Sequence, residues 1–382
     1  MHWHFPEVVQ FPNLSLHACH HDLEQTMRNA SHPDPMHSGA FKSTTKQIKK
    51  LCWQLGIGMF LMLGLGFSIV LFGFGGILES NRYVKLPDDV YYLDYNVYNL
   101  SNSDKNQKIR EGFEIFRNTS AHIGPKQLDS TQRFAGNNLA CASCHLNGGT
   151  KLYAAPLIGV VKRFPQYRGR ENTMGTIEER INGCLERSMN GRVMPEDSEK
   201  MTSLLAYLEW LGRAVPIDGN IKGQGFLAIE IPNRAVDLDH GETVFQHHCV
   251  ECHGLDGQGQ TQEDGSYLYP PLWGNDSYNN GAGMTRVITA AQFIKSNMPY
   301  GTTFDSPVLT DEEAYDVAGY INQKLRPTKP NREVDFPDLT KKPVSTPYGP
   351  YTDSFSEEQH QLGPFQPIMD FYKEEYNIVK TK

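Results

Sequence analysis

Cysteine is scarce. The chain has 7 in 382 residues, four of them in two C-x-x-C pairs, which leaves Cys19, Cys52 and Cys184. Those leftovers do not amount to a disulfide framework, so the fold has to rest on something else. Net positive charge is missing too: 36 Lys and Arg stand against 44 Asp and Glu, a balance of −8. That balance leaves no footprint for nucleic acid, and none is expected as a partner. Long apolar sequence is confined to the stretch from Leu55 to Leu78. Hydrophobic residues make up 39% while Gly (34) and Pro (23) are abundant, which suits small, loop-rich domains. The length admits two such domains, or three very small ones.

What the chain does have is C-x-x-C-H, twice: Cys141-Ala142-Ser143-Cys144-His145 and Cys249-Val250-Glu251-Cys252-His253. This spacing lets two thiols add to the vinyl groups on one porphyrin edge while the histidine after the second thiol reaches the iron. A zinc site would need a matching second half, and a redox dithiol would not need the histidine. Two covalently bound haem c groups are therefore expected, on Cys141, Cys144 and His145 and on Cys249, Cys252 and His253.

The expected fold class is mainly α: two tandem small cytochrome c domains, preceded by one transmembrane helix. Residues 1–54 read as a cytoplasmic leader without a fold, with Met36 as an alternative start. As a helix, 55–78 is long enough to span a bilayer. Lys42, Lys46, Lys49 and Lys50 precede this run, which places the remainder across the membrane, in a bacterial periplasm. An uncleaved inner-membrane anchor is favoured over a removed signal peptide, because no clear cleavage site follows. Residues 79–106 read as a Tyr-rich tether. Domain 1 covers 107–218, domain 2 covers 219–330, and 331–382 form a wrapping tail.

The two domains repeat one plan. Gly112 and Gly241 mark helices ahead of the haem motifs, and Met194-Pro195 and Met298-Pro299 follow the motifs after long loops. Amphipathic helices come next, through Met201, Leu204, Leu205, Leu208 and Leu211, and through Ala314, Val317, Ala318, Ile321 and Leu325. Met298 is the expected distal ligand of the second haem, with Met284 the alternative and Lys295 a competitor. Met/His ligation suits an electron-transfer haem of raised potential.

The first haem has two readings. By the repeat, Met194 is the distal ligand. Yet 176–189 reads as a helix with Thr176 and Glu179 as capping box, and Ile177, Ile181, Cys184, Leu185 and Ser188 form its apolar stripe. Cys184 then faces inward with Arg180 and Ser188 one turn to either side, and Gly183 would let the helix approach a macrocycle. Lys151 to Arg192 holds eight Lys or Arg against four Glu, so an anion is expected near the first haem. An inert buried cysteine beside a solvated basic loop is the alternative, and pattern alone does not separate them.

These residues, taken with longer runs, resemble the dihaem thiosulfate dehydrogenases, which couple two thiosulfates to tetrathionate. The resemblance extends from about residue 108 to 368. It is carried by Arg133 to Ala140 before the first motif and His145 to Thr150 after it, by Phe164 to Arg170, and by Arg180 to Arg192. Asn297-Met298-Pro299, Pro347 to Tyr351 and Gly363-Pro364-Phe365 complete it. The resemblance implies that Cys184 is the distal ligand of the first haem and the site of chemistry. It also implies that Arg170, Arg180 and Ser188 line the substrate pocket. Some members carry a lysine beside the second-haem methionine; here Asn297 stands there, which speaks against a ligand switch. A thiolate ligand would lower the first potential below the second, so electrons would run from haem 1 to haem 2 and to an external acceptor. Rival readings are a dihaem electron carrier with Met194 on the first haem, and a SoxA-like sulfur-transfer cytochrome.

Overall fold

The computed structural model describes residues 50, 51, 53–55, 89–215 and 217–382. The chain divides into two units, 1–84 and 85–382. In the first, the described residues are helical; the leader, Cys19, Cys52 and the run 55–78 beyond Leu55 lie outside the described residues. Among the described residues no helix is long and apolar enough to cross a membrane.

The second unit is mainly helical, with α1 Asp104–Arg117, α2 Ile177–Arg187, α3 Glu199–Leu211, α4 Leu238–His248, α5 Val287–Asn297, α6 Asp311–Asn322, α7 Glu357–Leu362 and α8 Gln366–Tyr376. Two antiparallel hairpins supplement them: β1 Gln166–Arg168 with β2 Thr173–Gly175, and β3 Gln260–Thr261 with β4 Tyr267–Tyr269. Side-chain caps start six of these eight helices, α5 and α8 being the exceptions. Thr176 and Glu179 form a reciprocal box on α2, and Thr310 and Glu313 another on α6.

Each cytochrome c domain is organised by a helix pair, α1 against α3 and α4 against α6. Glycine makes both crossings close. A Cβ at Gly112 would lie 1.9 Å from the Ser203 carbonyl oxygen, and one at Gly241 2.3 Å from that of Asp316. Around the first pair lie Phe116, Met201, Tyr207 and Leu211; around the second lie Phe245, Val317, Ala318 and Ile321. Burying each of these larger apolar side chains contributes about 1.5–3 kcal/mol. Leu325, expected on the α6 stripe, falls beyond the helix end and is 89% exposed.

Two segments are more integrated than composition suggests. The described part of the tether docks on domain 1, with Val97 buried and Tyr95 and Tyr98 edge-on to Trp210 and Phe113. The tail does more than wrap. Val344, Phe365, Ile368 and Tyr372 are part of the second core. Polar bridges join the two domains: Asn138 donates to the Asp276 carboxylate from both its backbone and side-chain nitrogens, at 3.0 Å each. Met284 packs against both cores.

Candidate functional site: a cysteine between a haem crevice and an arginine pocket

The proximal sides of the two sites are built alike. His145 Nδ1 lies 2.7 Å from the Ala155 carbonyl oxygen, and His253 Nδ1 lies 2.8 Å from that of Pro270. A carbonyl can only accept, so each Nδ1 carries the proton and each Nε2 keeps its lone pair for a metal. Burial pushes the His145 imidazole down to about 4 and lowers that of His253, so both rings are neutral near pH 7. Neutral, oriented imidazoles beside paired cysteines are what a c-type haem requires, and the residues fit that group. The interdomain link reinforces the first site, since Gly225 accepts from Ala155 N at 2.9 Å.

On the distal side of domain 1, α2 presents Ile177, Arg180, Ile181, Cys184, Leu185 and Ser188 to a crevice of ≈ 290 Å³ that also holds Cys141, Cys144 and His145. The inward stripe expected from the sequence is thus observed. Arg180 Nη1 donates to Cys184 Sγ at 2.7 Å, and the Cys184 sulfur beside it raises the guanidinium pKa. Met194 is elsewhere. It is 1% exposed, does not line the crevice, and is clamped to α2 by Asn182, which bonds its N–H at 2.8 Å and its carbonyl at 3.0 Å. The repeat had offered Met194 as a ligand; the longer connection after α2 carries it into the domain core instead. Met284 lines the first crevice while also packing against the second core. Lys295 is occupied by Asp311 at 2.9 Å and the Leu309 carbonyl at 2.7 Å, which removes it as a competitor. Met298 caps the end of α5 and packs on the second core, as Cys249 does.

Behind Cys184 opens a second cavity of ≈ 320 Å³, sharing Arg180, Cys184 and Ser188 with the crevice. Arg168, Arg170, Arg187 and Arg286 line it, with Lys341 and Glu171. The basic stretch of the sequence divides here. Arg168, Arg170, Arg180 and Arg187 reach the pocket, whereas Lys151, Lys162, Arg163 and Arg192 bond backbone carbonyls elsewhere. The turn of the β1–β2 hairpin supplies Arg170 and Glu171. Glu171 holds Arg168 at 2.8 Å and Arg187 at 3.5 Å.

Arg170 is ion-paired to Asp335, receives company from Tyr348 Oη at 3.1 Å, and stacks over Phe336. It lines the pocket, but its charge is already largely answered. Gly183 has a different role from the expected one. It lines the arginine pocket and not the crevice, and a Cβ there would come 2.2 Å from Arg187 Nη2, so the glycine makes room for that guanidinium.

Sequence reasoning missed Arg286, Asp335, Phe336 and Lys341. Asp335 and Phe336 come from the tail and hold Arg170, while Arg286 comes from domain 2. No local pattern marks a lone arginine ahead of α5. Domain 2 also braces the site, with Asn279 bonding the Glu186 and Arg187 carbonyls; within domain 1, Asn137 bonds that of Ser188. These are the carbonyls that a helix end leaves free.

The chain is similar to several known proteins. Residues 131–217 match the family described as SoxA/TsdA, cytochrome c domain, and 238–324 match the family Cytochrome c. A thiosulfate dehydrogenase of Allochromatium vinosum is 48% identical over 207 residues, covering 53% of this chain and 74% of the relative. Another, of Psychrobacter arcticus, is 36% identical over 255 residues, covering 67% and 72%. Among solved structures, the as-isolated thiosulfate dehydrogenase TsdBA from Marichromatium purpuratum is 35% identical with a TM-score of 0.56. The match covers 61% of this chain and 49% of that one, so the chain spans about half the length of that structure. With two cytochrome c domains, and relatives matched over most of their length, the chain belongs to the thiosulfate dehydrogenase family and is a dihaem cytochrome c with both haems covalently bound.

Proposed function

We propose that the protein oxidises thiosulfate. Two thiosulfate ions join through their outer sulfurs to give tetrathionate, releasing two electrons and no proton, and the reverse reduction uses the same site. The carrying observation is the position of Cys184, whose sulfur borders both the crevice of the first C-x-x-C-H motif and the arginine pocket. His145 with Cys184 would hold one haem, and His253 with Met298 the other. When bound, the haems supply the acceptors for the two electrons, an anionic ligand set lowering the first potential and a Met/His set raising the second.

The chain's own residues solve the electrostatic problem. Two dianions repel, and Arg180, Arg187 and Arg168 offset that repulsion while their N–H groups fix the sulfonate oxygens. Ser188, one turn beyond Cys184, offers a hydroxyl to the same anion. Arg170, pinned by Asp335 and Tyr348, is a pre-oriented wall of the pocket. Apolar residues of the crevice, Ile177, Leu185, Leu204 and Leu208, exclude water from the cysteine's inner side.

The working location is the periplasmic face of an inner membrane, with the 55–78 run as anchor and an external electron acceptor as partner. A pure electron carrier with Met194 as ligand is disfavoured by the clamp that Asn182 places on Met194. The test is to mix purified haem-loaded protein with thiosulfate, and reduced protein with tetrathionate, and follow haem absorbance. Reduction by thiosulfate with tetrathionate as product is expected. Haems that respond to neither compound would remove the proposal.

A further inference from the structure

Four of the five arginines in the pocket have an anionic or sulfur partner. Arg168 and Arg187 share Glu171, Arg170 has Asp335, and Arg180 has Cys184. Arg286 is the exception. Among the described residues it has no carboxylate partner, and its recorded bond is from Nε to the Gly283 carbonyl at 3.2 Å. Burial, and then repulsion from Arg170, Arg180 and Arg187, push its guanidinium down to about 9, so it remains charged at neutral pH. A half-buried cation among like charges is costly to hold unless an anion arrives to answer it. Its planar fork suits two oxygens of a tetrahedral oxyanion. The cavity of ≈ 320 Å³ has the volume of about ten waters. That is room for two five-atom anions.

We propose that Arg286 binds the sulfonate of the second thiosulfate, so that the anion site is assembled from both domains. Arg180 and Ser188 hold the first anion beside Cys184, and Arg286 holds the far end of its partner. The inference rests on the reading of this site as a thiosulfate-coupling centre. It implies a preference for ligands with a sulfonate at each end, as in tetrathionate, over single-headed anions.

The experiment uses the haem-loaded, oxidised full chain, with tetrathionate binding measured by calorimetry and thiosulfate turnover measured separately. Arg286→Gln keeps the length and polarity of the side chain but removes its charge. It should weaken tetrathionate at least about tenfold and raise the thiosulfate KM similarly, the loss expected for a charge-assisted hydrogen bond. The haem spectrum and melting temperature should match the parent. Arg286→Lys restores the charge without the fork and should fall between; it decides the matter if the glutamine variant does not fold. A parent protein that is active, with both variants matching it in tetrathionate affinity and thiosulfate KM, overturns this inference alone. A parent that neither reacts with thiosulfate nor binds tetrathionate overturns the coupling reading and this inference together.

Discussion

The two cytochrome c domains share their proximal halves and differ in their distal ones. In both, a glycine brings two helices into contact and a backbone carbonyl orients the motif histidine. The divergence begins at the helix that follows the haem motif and its loop. In domain 1 that helix is α2, which carries Cys184 with Arg180 and Arg187. In domain 2 it is α5, which is buried along most of its length, carries one lysine tied to Asp311, and ends on Met298. One scaffold thus carries an arginine-lined cavity beside its first motif and a largely buried helix beside its second. The scaffold is shared, and the helix after the haem motif is where the two domains part.

The largest effect should come from erasing that difference at its centre. Cys184→Ala leaves the four attachment cysteines in place, so both haems should remain covalent. Thiosulfate-dependent reduction should drop by about 10³-fold or more, and the electron paramagnetic resonance of one haem should change. Full activity with an unaltered low-spin signal would end the proposed role of the cysteine. Next, Met298→Ala should alter only the other haem, with loss of the near-infrared Met–Fe band and a lowered potential for that haem. If both potentials stay where they were, Met298 is not the ligand.

A third effect falls on stability. Arg170→Ala leaves the Asp335 carboxylate, 5% exposed, without its main partner. A loss of about 2–3 kcal/mol in denaturant unfolding is expected. An Arg170→Ala protein as stable as the parent, but defective in KM, would show that Arg170 serves the substrate and not the wall. The smallest effect is expected at Met194→Leu, a volume-conserving core change that should cost less than about 1.5 kcal/mol and leave both haem spectra unchanged. A spectral shift there would revive the carrier reading.

Much of this was written locally. The C-x-x-C-H pairs carry their chemistry in five consecutive residues, and the caps of α2 and α6 and the apolar stripe of α2 follow from short-range periodicity. Cys184, Arg180 and Ser188 share a face because they are one helical turn apart. The sequence therefore determined the cofactors, the helix pairs and the candidate cysteine by itself.

Tertiary structure decided what depends on distance between remote segments. Met194 and Met298 both precede a proline, yet one is locked in the core and the other caps α5, because the connections before them differ in length. The basic stretch looked uniform along the chain, but half of it turns away to bond carbonyls. Arg286 and Phe336 reach the pocket from domain 2 and the tail, with Asp335 behind them holding Arg170, brought there by hydrophobic burial acting far from the charges it gathers. Periodicity reports which residues face a core. It does not report which charges that core will bring face to face.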